Sequence, residues 1–351
     1  MDGGRIGEHG FLADGHSAVL VDRAGSVNWW CPARFDAPSV FGRLLDDNAG
    51  HWSIQPVEEF TSDRSYLDDT LVLRTVFTTR SGSVAVTDAL ALEPGARGHD
   101  VSRRSPRAMA RVVEGISGEV PMRVHYRPRF EYGLGIPYLI ERQGALEATA
   151  GADRLMMRSS VPLQLGEGEA SGTFTVRDGS AQRFLLSYVP THDGAPPAIG
   201  TVEDVIANAV DGWRSWAGLH DYRGLYRDAV RRSAMVVQGM TYGPSGAIVA
   251  AATTSLPEKL GGDRNYDYRY VWLRDFSLTL QALERAACDD EATRHFTWAG
   301  WAMGRLGDEP APIMYDVEGK RDTTEHRLDH LSGYANSRPV FSTERPDKTC
   351  R

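Results

Sequence analysis

Lysine is scarce in this chain of 351 residues, and nearly all of its 39 basic side chains are arginine. Acidic side chains outnumber the basic ones at 47, which gives a net charge of −8. This charge argues against a polyanion such as nucleic acid as a partner. Arginine suits fork-shaped contacts to carboxylates and polar ligands, although a bias in genomic base composition explains the same enrichment.

Cysteine is also rare, and long apolar runs are missing. Three widely spaced cysteines do not supply a disulfide framework or a zinc site. No apolar run approaches the roughly 18 residues of a membrane span, and residues 1–14 lack the apolar core of a signal peptide. We therefore expect a cytoplasmic protein with no membrane partner, no metal and no cofactor.

The hydrophobic pattern changes near residue 205, and the length exceeds what one core usually organises, so we expect two domains. Before this point, short runs of strand type are separated by turn residues and predict an antiparallel β-sandwich. In the clearest run, Leu71, Leu73, Thr75 and Phe77 share one face. The predicted strands cover residues 70–79, 83–92, 108–113, 121–126 and 183–189, and the predicted turns cover 81–82, 115–118 and 178–179.

After residue 205, apolar residues recur at helical spacing. The predicted helices cover residues 202–216, 222–240, 275–287 and 289–306. The loops between them, at 246–262 and 310–337, are long and rich in glycine, proline and charge. Long ordered loops commonly carry a functional site.

The densest chemistry lies between residues 253 and 275. Aromatic rings at alternate positions are interleaved with charged side chains: Tyr266, Tyr268, Tyr270 and Trp272 with Asp267, Arg269, Arg274 and Asp275. Aromatic rings stack on the apolar faces of sugars, while Arg and Asp hydrogen-bond the hydroxyls. The same pattern also fits an aromatic strand packed on a neighbour, with its arginines paired to aspartates at the surface.

Residues 265–275 (NYDYRYVWLRD), followed by Ser277 and Thr279, resemble the substrate-binding signature of glycoside hydrolase family 15, the glucoamylases and bacterial trehalase-like enzymes. The segments 252–259 and 314–340 resemble the bacterial branch of that family. In the first half, residues 18–29, 31–41 and 128–133 resemble the trehalase-like β-domain of that branch. The resemblance runs in register from about residue 5 to 340.

This resemblance implies an inverting hydrolase of α-glucosidic bonds, with a β-supersandwich followed by an (α/α)6 barrel. Its substrate would be trehalose, or an α-glucan or maltooligosaccharide. Arg274 and Asp275 would hydrogen-bond the terminal glucose, Trp272 would line the pocket, and Tyr268 would face the ring where positive charge develops. Arg338 would border the same pocket.

The sequence departs from the family pattern after residue 340. The family continues there into an Arg-x-Gly-Asn turn and a Gln-rich helix, and both catalytic glutamates lie farther on. We therefore identify no catalytic residue in this chain, and we expect a truncated or frame-shifted product that is inactive. The loop acids would be solvated carboxylates or ion-pair partners; they are Glu258, Asp316, Glu318 and Glu325.

The expected domains are a trehalase-like β-supersandwich (1–205), a linker helix (206–222), a partial (α/α)6 glycosidase domain (223–340) and an off-pattern tail (341–351). An incomplete barrel would leave several apolar side chains partly uncovered, namely Leu225, Val230, Val237, Phe296 and Trp298. Two alternatives stay open. One is a non-catalytic carbohydrate-binding or interaction protein that keeps the β-domain, and the other is an enzyme completed by a second chain.

Overall fold

Antiparallel strands make up the first half of the chain. The computed structural model, which describes residues 5–304, 310–321 and 323–343, arranges fourteen strands in one continuous hydrogen-bonded sheet. The strands are β1 (Gly10–Ala13), β2 (Ala18–Val21), β3 (Ser26–Trp30), β4 (His51–Pro56), β5 (Thr61–Tyr66), β6 (Leu73–Thr78), β7 (Gly82–Leu90), β8 (Ala108–Arg127), β9 (Tyr138–Arg142), β10 (Ala145–Ala150), β11 (Asp153–Ser159), β12 (Gln164–Gly166), β13 (Glu169–Arg177) and β14 (Ala181–Tyr188).

Strand β8 joins the two layers of this sheet. Its first half pairs with β7 and β14, and its second half pairs with β4 and β13. One hydrophobic core contains side chains from both layers, such as Val19 and Trp52 on one side and Val86 and Leu155 on the other. The predicted antiparallel β architecture of the first half is confirmed.

The prediction of two separate strands at 108–113 and 121–126 was wrong. Residues 108–127 form one strand, and the predicted turn at 115–118 lies inside it. Gly118, with φ of 69°, and a shift of register beside Ser83 and Val84 let the long strand pass from one layer to the other without a turn. The turns predicted at 81–82 and 178–179 do connect β6 to β7 and β13 to β14.

In the described part of the chain, four α-helices follow the sheet: α1 (Val202–Ala217), α2 (Arg227–Gly239), α3 (Leu273–Arg285) and α4 (Asp289–Gly304). Thr201 caps α1, since its hydroxyl accepts the N–H of Asp204 while the Asp204 carboxylate accepts the N–H of Thr201. Helix α2 begins later than predicted, because Tyr226 has a left-handed φ of 56° and cannot continue a helix toward residue 222.

The helices share a second core with the first strands. Apolar residues of α1, α3 and α4 pack with Ala13, Leu71 and Leu92 in one cluster. Trp298, which we expected to be partly uncovered, is 3% exposed because it packs on Phe276 and Tyr315. The expectation of exposure is confirmed for Leu225 and Phe296, which are 81% and 66% exposed.

Pairs of two-residue strands connect the loops of the second half by backbone hydrogen bonds. They pair as β15 (Thr241–Tyr242) with β16 (Ala247–Ile248), β17 (Val271–Trp272) with β18 (Met314–Tyr315), and β19 (His326–Arg327) with β20 (Phe341–Ser342). The predicted tail thus begins with β20, and its residues 344–351 lie outside the described residues. Among the described helices, none has the length and apolar character that crossing a membrane requires.

The first prediction concerns Gly118 and compares it with Gly179, because the two have nearly equal φ values of 69° and 71°. A Cβ at Gly118 would lie 2.1 Å from the carbonyl oxygen of Ser81, whereas a Cβ at Gly179 meets nothing within 4 Å. Gly179→Ala should cost about 1 kcal/mol of backbone strain, and Gly118→Ala should cost roughly 2–3 kcal/mol more. Urea unfolding measures the free energy of unfolding of both variants. Equal losses of stability would contradict the continuous strand β8.

His51 and His125 lie on the adjacent strands β4 and β8, with Nε2 of His51 3.1 Å from Nδ1 of His125. The other ring nitrogen of His125 lies 3.4 Å from a carboxylate oxygen of Glu169. Burial and the nearby positive charges, led by that of Arg43, lower the pKa of His51 to about 3. His51 is therefore neutral in the folded protein at pH values where an unfolded chain would protonate it.

The second prediction follows from that shift. Between about pH 6.5 and pH 3 the unfolded chain binds a proton at His51 that the folded chain does not, so the free energy of unfolding falls as pH falls, by up to about 1.4 kcal/mol per pH unit. His51→Gln should flatten this dependence in urea titrations at pH 4.5 and pH 7. His192→Gln, at a side chain that is 79% exposed, is the control and should leave the dependence unchanged.

Candidate sugar-binding site

The segment 265–275 begins where the second half of the chain contacts the first half, a region that we call the seam. It leads from there into α3. Its last strand residues form β17, and α3 begins directly afterwards. Arg274 and Asp275 therefore lie in the first turn of α3, where the partial positive charge of a helix N-terminus favours a carboxylate. Upstream, the carbonyls of Tyr268 and Tyr270 accept the N–H groups of Ala251 and Ala250, which fixes the segment to its neighbour in the chain.

The side chains of this segment are divided between the interior and the surface. The interior set is Asn265, Asp267, Arg269, Tyr270 and Val271, and the partly exposed aromatic set is Tyr266, Tyr268 and Trp272. Three of the four alternating aromatic residues thus face outward, and Tyr270 is part of the interior. The alternation is that of an extended backbone whose two faces meet different surroundings.

The three partly exposed rings form one cluster, which we call the aromatic platform (Tyr266, Tyr268 and Trp272). The ring centroids of Tyr268 and Trp272 are 5.2 Å apart and their planes are tilted by 32°. Tyr266 lies 5.9 Å from Trp272 and 6.3 Å from Tyr268. The Trp272 indole N–H donates to the carbonyl of Asp267 at 3.2 Å. Rings in this arrangement can stack on the apolar face of a sugar.

Charged side chains surround the platform at Tyr268. Burial raises the pKa of Tyr268, and the negative charge of Glu258 raises it further, while Arg274 acts in the opposite direction. Arg274 Nη2 lies 3.3 Å from Asp275 Oδ2, and the two side chains are 72% and 38% exposed. This pair therefore offers hydrogen-bond donors and acceptors that a ligand can reach.

Arg338 lies on a second segment that runs alongside residues 261–265. The N–H of Gly261 donates to Ser337 Oγ, and Asn265 Nδ2 donates to the carbonyl of Pro339, each at 2.9 Å. The residues on both sides of Arg338 thus contact the chain that carries the platform. Arg338 itself is exposed.

Asp267 and Arg269 form an ion pair in the interior. The sequence pattern allowed two interpretations, contacts to sugar hydroxyls or ion pairs at the surface, and both are wrong for these two residues. Their side chains are 0% exposed and join through two bonds, at 2.9 and 2.7 Å. Arg269 also donates to the carbonyl of Ala37 at 2.7 Å and to the hydroxyl of Tyr132 at 2.8 Å. This pair is neither at the surface nor open to a sugar, and it links the aromatic segment to the first half of the chain.

Sequence reasoning missed this contact between the two halves, and one signal could have found it. With a period of two, Asp267 and Arg269 share a face with Asn265, while Tyr266 and Tyr268 share the opposite face. Charged residues that alternate with solvent-facing aromatic residues belong to the inner face and need partners there. The partner residue Tyr132 is distant in sequence, and no local pattern indicates it.

Among the loop acids, Glu258 and Glu318 form ion pairs as expected, and Asp316 differs from the expectation. Asp316 is buried and accepts the backbone N–H groups of Glu318 and Lys320 at 2.9 and 2.7 Å, so it shapes its own turn. Glu318 binds Lys320 and Arg34, and the hydrogen bond from Lys320 lowers its pKa. A carboxylate kept ionised in this way is unsuited to act as a general acid.

In the described residues, two histidines near the seam contact backbone carbonyl oxygens and therefore have a structural role. His330 Nε2 lies 3.0 Å from the carbonyl oxygen of Tyr132, and His295 Nδ1 lies 2.8 Å from that of Gly246. Within residues 5–304, 310–321 and 323–343, no cluster of three or more His, Cys, Asp or Glu side chains could hold a metal ion.

A groove of about 490 Å³ lies between α2 and α3, apart from the platform. Its walls are mostly aliphatic, with Val230, Val237, Leu278 and Leu283 among them, and they include no carboxylate. Such a lining suits the burial of another apolar surface rather than the recognition of sugar hydroxyls.

Comparison with known proteins finds matches for both halves of the chain. The family described as "Trehalase-like, N-terminal" matches residues 2–177, and "Glycosyl hydrolases family 15" matches residues 224–345. A trehalase of Mycobacterium tuberculosis is 34% identical over 95% of this chain and 52% of its own length. The trehalase of Mycolicibacterium smegmatis is 36% identical (95% and 53%), and trehalase 1 of Sulfolobus acidocaldarius is 32% identical (94% and 55%).

The chain spans about half the length of these curated relatives. The two matches include nearly all the strands of the large sheet and the segment that carries the platform. This chain therefore belongs to glycosyl hydrolase family 15 and carries that family's trehalase-like N-terminal domain.

Proposed function

We propose that this chain carries the β-domain and the sugar-binding segment of an inverting hydrolase of α-glucosidic bonds. Trehalose is the first candidate substrate, because the relatives described above are trehalases, and maltooligosaccharides or α-glucans are the second. The observation that carries the proposal is the aromatic platform with Arg274 and Asp275 at its edge.

Each residue of the site has a distinct role in this proposal. Trp272 and Tyr268 stack on the apolar face of the terminal glucose, while Arg274 and Asp275 hydrogen-bond its hydroxyls. Tyr268 faces the sugar ring where positive charge develops during bond cleavage. Arg338 borders the subsite from the neighbouring segment.

Hydrolysis with inversion requires a general acid on one side of the bond and a general base on the other, about 6.5–9.5 Å apart. We assign neither role to a residue of this chain. The described residues bind and orient the sugar, and this orientation is what brings a glycosidic oxygen to an acid in a productive geometry.

We further propose that α2, α3 and α4 are the first helices of an (α/α)6 barrel, with domain boundaries near residues 205, 222 and 340. The exposed side chains of Leu278 in α3 and Phe296 in α4 support this assignment, because barrel helices bury apolar residues on more than one face. The aliphatic groove between α2 and α3 is consistent with the same packing.

A carbohydrate-binding protein without hydrolytic activity is the second candidate function. The platform and the Arg274–Asp275 pair supply stacking and hydroxyl recognition, and neither contribution needs an acid or a base. This candidate shares the sugar site with the first and differs only in the absence of bond cleavage.

The third prediction tests the site by calorimetric titration of the chain with trehalose and with maltose. Trp272→Ala, Arg274→Ala and Asp275→Asn should each weaken binding at least about tenfold, since a hydrogen bond to a charged group or a lost stacking ring contributes about 1.5–3 kcal/mol. Arg223→Ala and Asp221→Asn provide matched controls, because they form an exposed ion pair at the surface before α2.

Unchanged affinity in all three site variants, or no binding of either disaccharide to the wild-type chain, would refute the proposed site. Proton NMR of the earliest product separates the two candidate functions. With trehalose, release of α- and β-glucose in equal amounts supports inversion, because the attacked glucose becomes β while the leaving glucose keeps its α configuration. Release of α-glucose alone contradicts inversion, and binding without release favours the carbohydrate-binding protein.

A further inference from the structure

We propose that the N-terminal β-domain sets the orientation of the aromatic platform, and that Arg269 and Tyr132 are positioning residues for sugar binding. This inference rests on the proposed function for its ligand but not for its geometry. The contacts form a continuous path from the β-domain to the Trp272 indole through two buried side chains and one peptide group.

The path begins in two loops of the first half of the chain. The carbonyls of Ala37 and Phe35 accept from Arg269 Nη1 at 2.7 and 3.4 Å, and the hydroxyl of Tyr132 accepts from Nη2 at 2.8 Å. Tyr132 is held in turn, because its carbonyl oxygen contacts His330 and its hydroxyl lies 3.0 Å from Ser342 Oγ. The guanidinium thus has fixed partners on the β-domain side.

Asp267 carries the path from Arg269 to the platform. Its carboxylate binds Arg269 through both oxygens, and it also accepts the backbone N–H of Arg269 at 3.1 Å. Its carbonyl accepts the indole N–H of Trp272. Because one residue makes both contacts, a rotation of the Asp267 backbone that weakens the ion pair also moves the acceptor of the Trp272 hydrogen bond.

Tyr268 is included in this path by its position in the chain. It lies between Asp267 and Arg269, so its backbone is fixed on both sides while its ring faces Trp272 at 5.2 Å. A further hydrogen bond between the halves runs from Trp29 Nε1 to the carbonyl of Ala252 at 2.7 Å. It fixes the neighbouring segment, in which the N–H of Ala251 donates to the carbonyl of Tyr268. The separation and tilt of the two platform rings therefore depend on contacts made by the β-domain.

A buried arginine elsewhere in the chain allows a matched experiment. Arg111 is also 0% exposed, binds Asp88 through two bonds, donates to two carbonyls and lies over a tryptophan ring, but all of its partners are inside the β-sheet domain. Arg269→Lys and Arg111→Lys each keep the positive charge and lose the fork-shaped donor set. Both should destabilise the fold, and only Arg269→Lys should disturb the platform.

The measurement uses the full chain labelled with 5-fluorotryptophan. Trp272→Phe assigns the fluorine resonance of Trp272 among the eight tryptophans. In Arg269→Lys this resonance should shift or broaden and the affinity for trehalose should fall about tenfold, while Arg111→Lys leaves both as in the wild type. Tyr132→Phe, which removes one hydroxyl, should give a smaller change in the same direction and serves if Arg269→Lys does not fold.

An unchanged Trp272 resonance in folded Arg269→Lys or Tyr132→Phe would overturn the inference. So would an equal change in Arg111→Lys, because the effect would then follow from lost stability alone. If the wild-type chain binds no trehalose, the proposed function fails, while the Trp272 resonance still decides whether the β-domain positions the platform.

Discussion

The ion pair between Arg269 and Asp267 is the constraint on which the seam of this molecule depends. Removing two charges from water costs roughly several kcal/mol for each ion. Only excellent geometry with further hydrogen bonds offsets that cost. Burial works to lower the pKa of Arg269, but the charge of Asp267 outweighs it and holds the pKa above its ordinary value. The pair is therefore stable only where the carbonyls of Phe35 and Ala37 and the hydroxyl of Tyr132 complete its partners, which requires both halves of the chain.

The hydrophobic cores show the same dependence of the second half on the first. One core lies wholly within the first half of the chain, between the two layers of its sheet. The core around the helices instead includes side chains of the first strands and their connections, such as Ala13, Leu71 and Leu92. A smaller cluster joins Trp29 and Leu45 to Leu331 and Val340. The β-domain thus has one core of its own, whereas the described helices and the loop segments beside the site need the β-domain as a packing partner.

Much of this fold could be predicted from the sequence because its signals are local. Alternation at Leu73, Thr75 and Phe77 indicates a strand face, and all three side chains are buried in β6. Leu71, predicted on the same face, precedes β6 and packs in the core around the helices. The helical spacing after residue 205 and the turn at 178–179 are equally local. Strand β8 could not be predicted, because Gly115 and Gly118 are typical of turns and only pairing with both layers keeps this segment extended. The burial of Trp298 depends in the same way on a distant partner, Tyr315.

The candidate site shows why family resemblance alone does not assign residue roles. A motif such as NYDYRYVWLRD is recognised as a unit, but its first residues belong to two faces of an extended segment and its last three begin α3. The outer face carries Tyr268 and Trp272, which can contact a ligand, and the inner face carries Asp267 and Arg269, which contact the β-domain. Both faces constrain the sequence strongly, one through recognition and the other through the cost of an unpaired buried charge. To tell residues that recognise a ligand from residues that pair in the interior, one must know how deeply each side chain is buried. That burial depends on the distant segments that complete the inner face.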